Sequence, residues 1–394
     1  MSLRTAAEFA AYFASSSSRA GATTKPLVIR SVLEMHLARA GMDLCVAHGS
    51  ARLARVGFVP TMGALHAGHV GLVAAARAGG RDGPPDFTIA SVFVNPAQFA
   101  PHEDLGAYPR TWDADAAALQ AAHASVIFAP RAASMYPPGA PYRTFVAPVG
   151  ADERTPEGSA RVGFFRGVAT VVTKLLTAVR PTEAWFGQKD GVQCIIVRSL
   201  ARDLNLPTKV CIAPTAREAD GLAMSSRNVY LSPAHRAGAP VIYKALCEAV
   251  CEVANAPEAA EAAAARVALS LTPTPASSDD SAAERAAQAA SFAHTLALGQ
   301  TTAPPAPAPD ALLTRVAAKV RARILSEPAL VSVEYVAFSD ALTGAPISRL
   351  RDSTARGGAV MLSCVARAGT TRLLDNVMLI GTHNDLGAAP GEVD

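Results

Sequence analysis

Two histidines spaced three residues apart are the first side chains in this 394-residue sequence that could do chemistry together. They lie in VPTMGALHAGH, residues 59–69, where His66 and His69 enclose Gly68. An apolar, strand-like run precedes the stretch and a helical apolar pattern follows it, so both histidines fall in the first turn of a helix. Unpaired backbone N–H groups and the helix dipole attract anions there, phosphate above all.

Three interpretations of this pair compete. A His-x-x-His pair can bind a metal ion, although the glutamate of the zinc-protease helix motif is missing and no carboxylate follows closely on the same face. The two side chains can also be half-buried histidines that cap a helix. Phosphate binding is the third interpretation, and it requires donors from elsewhere in the chain.

Further polar side chains follow other strand-like runs. Asn95 and Gln98 come after one of them, and neutral amides can bind a substrate hydroxyl or carboxylate without adding charge. Lys189 and Asp190 follow another, where lysine suits phosphate oxygens and aspartate suits a ribose hydroxyl or a metal ion. Taken singly, an Asn-Pro sequence is more often just a turn, and the Lys–Asp pair is equally typical of a surface turn with an exposed ion pair.

A donor-rich loop completes the set of candidates. READGLAMSSRN, residues 217–228, places Ser225, Ser226 and Arg227 in a row after a flexible Asp-Gly turn, which suits a triphosphate. A serine nucleophile is not expected, because no Gly-x-Ser-x-Gly elbow occurs. Together these stretches place cations and hydroxyl donors after successive strands of one sheet.

Composition limits the class of protein. Half of the residues are apolar, and 36 basic against 33 acidic residues give a net charge of +3 without a dense basic run, so nucleic acid is not an expected partner. Six scattered cysteines without a Cys-x-x-Cys pair indicate reduced thiols in an intracellular protein. No stretch is long and apolar enough to span a bilayer. Residues 1–25, rich in Ser and Ala, are predicted to be flexible and loosely resemble a transit peptide.

The apolar pattern predicts an α/β fold in which strands and helices alternate around a parallel sheet. Ligands of such sheets bind beyond the carboxyl ends of the strands, and residues 59–69 end the first predicted strand. The predicted strands are 56–60, 87–94, 125–130, 184–187 and 209–214, and the predicted helices are 27–40, 69–78, 113–122, 167–179 and 191–204.

The amino-acid composition of the second half of the chain changes at residues 256–310. This segment is rich in Ala, Pro and Ser and has few large apolar side chains, so it is interpreted as a low-complexity insertion without chemistry of its own. VSVEYVAFSD and AVMLSCVARA then predict two strands of a smaller α+β domain. The predicted domains are therefore 26–215 and 216–394.

The motifs resemble those of pantothenate synthetases, the pantoate-beta-alanine ligases, in a eukaryotic-type form with insertions. VPTMGALHAGH is followed by FVNPAQF with EDLGAYPR, FRGVATVVTKLL, FGQKD with Gln193, and READGLAMSSRN, in that order and spacing. The match runs from about residue 26 to 250 and resumes with TRLLDN at 371–376. Five ordered motifs are very specific, whereas any one alone is compatible with other nucleotidyltransferases.

The resemblance implies a Rossmann-like nucleotidyltransferase domain with a smaller α+β C-terminal domain, assembled as a homodimer. It implies that His66, His69 and Lys189 are catalytic and stabilise charge on the α-phosphate. The ATP-binding residues that it implies are Met62, Gly63, Ala64, Leu65, His66, Ala67, Gly68, His69, Gly187, Gln188, Lys189, Asp190, Ala216, Met224, Ser225, Ser226 and Arg227.

The implied reaction condenses pantoate with beta-alanine at the expense of ATP, through a pantoyl adenylate, and releases AMP and pyrophosphate. Gln98, Gln193 and Asn95 would bind pantoate, Gln98 would also contact beta-alanine, and Mg²⁺ would arrive with ATP rather than on protein ligands. A cytoplasmic enzyme is expected, with organelle targeting through the N-terminus as the alternative.

Four positions depart from the family pattern. The family usually has Glu at Gln188, an aromatic–Gln pair at Gly191 and Val192, and His at Phe164. Two rival functions stay open at this point: another adenylyl or cytidylyl transferase, and a non-catalytic scaffold that keeps the fold. The first has no obvious use for FVNPAQF with Gln193, and the second would be expected to have lost His69 or Lys189.

Overall fold

Six parallel strands form the predicted sheet, in the spatial order β1-β4-β3-β2-β5-β6. β2 and β3 are buried along almost their whole length because helices cover both faces of the sheet, which explains their continuous apolar runs. The strands are β1 Leu27–Ile29, β2 Val56–Thr61, β3 Phe87–Val92, β4 Val126–Phe128, β5 Glu183–Gly187 and β6 Lys209–Ala213.

The computed structural model describes most of the chain, and nearly all of the 256–310 insertion lies outside the described residues. No helix in the described part combines the length and apolarity needed to cross a membrane. The described residues are 3–17, 25–99, 105–139, 141–151, 155–257, 310–353 and 358–388.

The helices that were predicted from 69 onward are confirmed to within a few residues. The bounds are α1 Ala6–Ser17, α2 Val32–Ala47, α3 Ala67–Ala78, α4 Trp112–Ala121, α5 Ala132–Met135, α6 Pro156–Ala160, α7 Phe164–Val179, α8 Gly191–Asp203, α9 Pro233–Gly238, α10 Val241–Ala254 and α11 Ala311–Leu325.

The order of the strands reverses between β2 and β5, which are hydrogen-bonded neighbours. From β2 the chain first builds the sheet through β3 toward β4, and it later returns to the other side of β2 with β5 and β6. Parallel α/β sheets bind ligands at such a switch point, beyond the carboxyl ends of the strands. Residues 59–69 therefore end the second strand of the chain rather than the first, and they lie at the centre of the sheet.

The prediction of a helix over 27–40 is wrong at its start. Residues 27–29 form β1, which pairs with β4 at the sheet edge, and α2 begins at Val32. Ser31 accepts a hydrogen bond from the Glu34 backbone N–H at 3.2 Å, and its hydroxyl donates to the Glu34 carboxylate at 3.0 Å. This Ser31 N-cap marks the true helix start, and the Ser-x-x-Glu pattern that signals it was present in the sequence.

The prediction that residues 1–25 are flexible is wrong for residues 6–17. They form α1, which packs on α2 and buries Phe9 and Phe13, each only 3% exposed, with the Phe13 ring 5.0 Å from the ring of Phe87. Burying a side chain of this size stabilises a fold by about 1.5–3 kcal/mol. The high Ser and Ala content led to the prediction of flexibility, although Phe9 and Phe13 lie one helical turn apart and can both be buried on one face of a helix.

A second, three-stranded antiparallel sheet follows, in the order β7-β8-β9. The two predicted strands are confirmed as β7 Ser332–Asp340 and β8 Val360–Ala368, and the sequence interpretation missed β9 Thr371–Ile380. α10 and α11 pack on this sheet around a second apolar core. TRLLDN lies on β9, which contacts the Gln188–Asp190 turn of the first sheet.

Candidate active site

The predicted site residues converge on a cavity of about 440 Å³ beyond the ends of β2, β3, β5 and β6, here called the strand-end cavity. Its walls include Thr61, Phe93, Gly187 and Ala213, at or next to those strand ends. The predicted residues that line it are Met62, His66, Gly68, His69, Asn95, Gln98, Gly187, Lys189, Asp190, Gln193, Ala216, Met224, Ser225, Ser226 and Arg227.

Five predicted ATP contacts are not among the lining residues: Gly63, Ala64, Leu65, Ala67 and Gln188. The loop after β2 turns its backbone away from the cavity toward α4, where the carboxylate of Asp115 accepts hydrogen bonds from the N–H groups of Ala64 and Leu65 at 3.0 and 2.8 Å. Gly63 and Ala64 have positive φ angles of 82° and 50°, which turn the chain at this point. This loop positions the start of α3, and the ATP contacts expected at its residues stay predictions.

Asp115 is a residue that the sequence interpretation missed. Its side chain is buried on the first turn of α4 and also accepts a hydrogen bond from the Thr111 hydroxyl at 3.1 Å. Three hydrogen bonds thus compensate the burial of this polar side chain. The sequence contained a signal for this residue: an acidic side chain on the apolar face of a predicted helix is buried, and a buried carboxylate requires hydrogen-bond donors.

His66 and His69 begin α3 as predicted. His66 is the residue before the first helical turn, the two ring centroids are 4.0 Å apart, and the His66 backbone N–H donates to Nδ1 of His69 at 3.4 Å. Nδ1 of His69 must therefore be unprotonated, and its proton resides on Nε2. Nδ1 of His66 is buried and has no hydrogen-bond partner among the described residues.

Both imidazoles are neutral at physiological pH. Burial, followed by the nearby positive charge of Lys189, lowers the pKa of His66 to about 4. Burial and the adjacent His66 lower the pKa of His69 to about 3. A neutral imidazole with its proton on Nε2 is a hydrogen-bond donor without a full charge, and it binds an anion without a proton having to be taken up.

Gln98 and Asn95 differ in what they offer to a ligand. The Asn95 amide donates to Oε1 of Gln98 at 3.1 Å and to the Gly167 carbonyl at 3.2 Å, while its oxygen accepts from the Tyr136 hydroxyl at 2.8 Å. The Asn95 side chain thus hydrogen-bonds to other residues of the protein and orients Gln98. The Gln98 amide nitrogen faces the sulfur of Met62 at 3.1 Å, a weak acceptor that a substrate oxygen can replace.

Gly167 in FRGV explains how α7 comes so close to this turn. A Cβ atom at this position would lie 2.2 Å from the carbonyl oxygen of Ala97, a distance that no side chain can occupy. The glycine therefore lets the helix support the Pro96–Gln98 turn through direct backbone contact. The same approach brings the Gly167 carbonyl within reach of Asn95.

Asn376 on β9 holds the Gln188–Asp190 turn. Its amide donates to the carbonyl oxygens of Gln188 and Lys189 at 3.0 and 2.8 Å, and its oxygen accepts from the Gln188 side chain at 3.2 Å. Gln188, a departure from the family pattern, thus pairs amide to amide with a buried asparagine. Gln188 thus takes part in the contact between the two sheets, and the ATP contact expected at this residue stays a prediction.

Asp375, the neighbour of Asn376, holds the loop that carries the two serines. Arg217 donates two hydrogen bonds to its carboxylate at 2.7 and 2.9 Å and stacks on the Tyr243 ring at 3.6 Å. Bidentate pairing fixes both the position and the orientation of the arginine. Downstream of Arg217, the Ser226 hydroxyl lies 3.3 Å from the Tyr108 hydroxyl.

A second cavity of about 550 Å³, here called the inter-sheet cavity, lies between α6–α8 and the sheet β7–β9. It shares Arg161, Lys189, Gln193 and Arg227, among others, with the strand-end cavity, so the two adjoin. At Gly191 a Cβ atom would lie 2.3 Å from the sulfur of Met361. The methionine therefore fills the space that opens where the family usually has an aromatic side chain.

The strand-end cavity is lined by hydrogen-bond donors and cations. Among the described residues, no group of three or more His, Cys, Asp or Glu side chains is placed to hold a metal ion. The lining of the cavity combines neutral donors, the cations Lys189 and Arg227, and two glutamine amides. Such a set suits a polyanion next to a small polar ligand.

Comparison with known proteins decides between the open alternatives. The sequence profile of the family described as pantoate-beta-alanine ligase matches residues 36–378. The chain belongs to that family. Its reaction is the ATP-dependent condensation of pantoate with beta-alanine, which confirms the predicted family and reaction.

Individual relatives agree with this assignment. A pantothenate synthetase of Herpetosiphon aurantiacus is 40% identical over 326 residues, which cover 83% of this chain and 94% of that protein. One of Chloroflexus aurantiacus is 50% identical over 219 residues, which cover 56% of this chain and 71% of that protein. The crystal structure of pantothenate synthetase from Thermus thermophilus has a TM-score of 0.63 at 34% identity and covers 90% of this chain and 100% of that chain.

Asp115→Asn tests whether the loop after β2 positions the histidines. An amide keeps one acceptor oxygen, so the N–H of Ala64 or Leu65 loses its partner, which costs about 1–3 kcal/mol. Misplacing His66 and His69 should lower kcat/KM for ATP by up to about 100-fold. Steady-state kinetics and thermal unfolding measure both effects. Asp113→Asn, an exposed acid on the same helical turn, is the control, and equal behaviour of the two variants would contradict the role of Asp115.

The neutrality of the histidines predicts a pH dependence of stability. Below pH 6.5, the usual pKa, the unfolded chain binds protons that folded His66 and His69 do not, so the free energy of unfolding falls as the pH drops toward 4. His69→Ala should weaken this dependence. In NMR spectra, both imidazole signals, assigned with alanine variants, should remain at their neutral positions down to about pH 5. Titration of either signal near pH 6.5 would contradict the assignment.

Proposed function

We propose that the strand-end cavity binds ATP and pantoate together and forms pantoyl adenylate there. The observation that carries this proposal is the convergence of His66, His69 and Lys189 with Gln98 and Gln193 on one cavity. The first three surround the place of a phosphate at a helix N-terminus, and the two amides provide neutral hydrogen bonds next to it.

The ATP triphosphate lies at the start of α3. The N-terminus of this helix, Nε2 of His69 and the ammonium of Lys189 contribute positive potential or donors to the α-phosphate, and Ser225 to Arg227 bind the outer phosphates. Gly187 and Asp190 contact the ribose, because Gly187 ends β5 without a side chain and Asp190 lies in the following turn. Ala216 and Met224 line the same cavity and complete the nucleotide site.

Pantoate binds through Gln98 and Gln193. The amide nitrogen of Gln98 faces the sulfur of Met62, which is a weak acceptor, and Gln193 lies on the first turn of α8, where it lines both cavities. Asn95 acts on pantoate indirectly by orienting Gln98. Neither glutamine adds charge, so the pantoate carboxylate remains a nucleophile instead of being bound in an ion pair.

The reaction proceeds in two steps. A pantoate carboxylate oxygen attacks the α-phosphorus of ATP, the bond from that phosphorus to the bridging oxygen breaks, and pyrophosphate leaves. His66, His69 and Lys189 stabilise the charge that develops on the α-phosphate oxygens. The amine of beta-alanine, within reach of Gln98, then attacks the activated carbonyl carbon and releases AMP. No covalent bond to the enzyme forms.

Magnesium enters as the complex with ATP. The arrangement of the described residues supports this, because Asp190 is the carboxylate beside Lys189 in the cavity and half of its side chain is exposed. A metal ion bound to the phosphates supplies charge neutralisation. Lys189, 3.6 Å from the Asp190 carboxylate, contributes the protein's own positive charge.

The enzyme acts as a homodimer in the cytoplasm. Support for the dimer comes from an exposed apolar strip in which Tyr142, Phe145 and Val149 are 39, 43 and 68% exposed. Strips of this kind mark protein contacts. Support for the compartment comes from the buried thiols of Cys194 and Cys364, which form no disulfide and which a reducing environment preserves. Organelle targeting through the N-terminus stays the alternative.

Exchange of labelled pyrophosphate into ATP, measured with pantoate and without beta-alanine, tests this site. His69→Ala and Lys189→Ala should each reduce exchange by about 100-fold or more, because each removes a donor to the transition state. Gln98→Ala should raise KM for pantoate more than KM for ATP. His36→Ala and Lys209→Ala, which alter exposed residues away from the cavity, are the matched controls. Near-normal exchange in the first two variants would refute the assignment.

A further inference from the structure

Beta-alanine brings a chemical requirement that the proposed site does not yet meet. It carries an amine, which must reach the pantoyl carbonyl, and a carboxylate two methylene groups away. Binding that carboxylate out of water requires a cation or several N–H donors. Gln98, the proposed beta-alanine contact, is a neutral amide whose oxygen already accepts from Asn95.

The cations that line the strand-end cavity, among the described residues with permanently charged side chains, are Lys189, Arg227 and Arg161. Lys189 lies next to the two histidines, where its charge lowers the pKa of His66. Arg227 follows the two serines in the loop assigned to the outer phosphates. Both are therefore assigned to the triphosphate in the proposed function, whereas Arg161 contacts Gln98.

The contacts of Arg161 place it at the junction of the two cavities. Its Nη2 donates to the Gln98 carbonyl oxygen at 3.4 Å, and its guanidinium carbon lies 3.6 Å from the centre of the Phe164 ring. Arg161 lines both the strand-end and the inter-sheet cavity. The stacked ring fixes the plane of the guanidinium, so its N–H edge is pre-oriented beside the pantoate end.

An ion-pair network anchors this arginine to the second sheet. Nη1 of Arg161 lies 3.5 Å from the Glu157 carboxylate, which is longer than a charged hydrogen bond. Glu157 itself accepts two short hydrogen bonds from Arg372, at 2.8 and 2.6 Å, and one from the Tyr335 hydroxyl at 3.1 Å. The stronger partner of Glu157 is therefore Arg372 on β9, and the contact with Arg161 is the looser one.

We propose that Arg161 binds the carboxylate of beta-alanine and so selects an amino acid over a neutral amine in the second step. This inference rests on the proposed function, because it takes pantoate to lie beside Gln98. The Phe164 departure fits the same role, since an aromatic ring supports the guanidinium by stacking. A second substrate would enter through the inter-sheet cavity and meet Arg161 before it meets the adenylate.

The step balances without a further reactant. The neutral amine nitrogen forms a bond to the pantoyl carbonyl carbon, the bond from that carbon to the AMP oxygen breaks, and the nitrogen releases one proton to solvent. Arg161 changes neither its charge nor its bonding, and it acts by holding the far end of the nucleophile. Two methylene groups then set how far the amine reaches, which favours beta-alanine over shorter amino acids.

Arg161→Met tests this inference by comparing the two half-reactions. The rate of the complete reaction at low beta-alanine should fall about 10- to 100-fold more than pyrophosphate exchange falls, as expected for one lost charge-assisted hydrogen bond. The preference for beta-alanine over beta-alaninamide, which lacks the carboxylate, should fall by the same factor. Arg161→Lys should recover part of the preference, because it restores the charge without the bidentate geometry.

Arg166→Met is the matched control, since Arg166 lies on the next turn, is exposed and stacks on Phe145. It should leave the preference for beta-alanine intact. Equal losses in exchange and in the complete reaction of Arg161→Met would show a merely structural role, and an unchanged preference would show that the carboxylate binds elsewhere. Absence of pantoate-dependent exchange in the unaltered enzyme would instead refute the proposed function.

Discussion

Asp375 and Asn376, two neighbouring side chains on β9, hold both loops that bring charge to the cavity. Asp375 binds Arg217 of the serine-bearing loop through two hydrogen bonds, and Asn376 binds the backbone of the Gln188–Asp190 turn through two more. Both side chains are almost fully buried, so water cannot replace the hydrogen bonds that they make. Losing one member of a buried ion pair typically costs about 3–5 kcal/mol.

These contacts of Asp375 and Asn376 explain how two sheets contribute to a single candidate site. The first sheet delivers the histidines after β2 and Gln98 after β3, while the loops after β5 and β6 are shaped by contacts from the second sheet. Rigid loops matter here because the substrates carry several negative charges. Donors that are already in place need no reorganisation when charge develops on the α-phosphate, and the buried setting strengthens each interaction.

Much of the fold and site followed from sequence because the signals were local. Apolar runs of β2 and β3 predicted buried strands, and His66 and His69 with Gly68 predicted a helix N-terminus. The contact between α1 and α2 depends on two aromatic residues in an otherwise small-residue segment, and β1 was absorbed into a predicted helix. Their partners lie far along the chain, so local patterns could not reveal them.

The same limit applies to individual site residues. Asp115 supports the loop at Ala64 from 51 residues away, and Gln188 pairs with Asn376 across 188 residues. A motif shows that such residues lie near the site but not whether a side chain faces the ligand or the protein. The resemblance implies ATP contacts at Gln188 and in the loop before the histidines, and the structure adds that polar groups there also shape the cavity.

The central claim is that the pantoate carboxylate becomes joined to the α-phosphate of ATP. Pantoate labelled with ¹⁸O in its carboxylate tests this claim when the unaltered enzyme converts it with ATP, magnesium and beta-alanine, and mass spectrometry follows the label. The account predicts one ¹⁸O atom in each AMP and one in the amide carbonyl of pantothenate. AMP without the label, or label recovered in inorganic phosphate together with ADP, would contradict it.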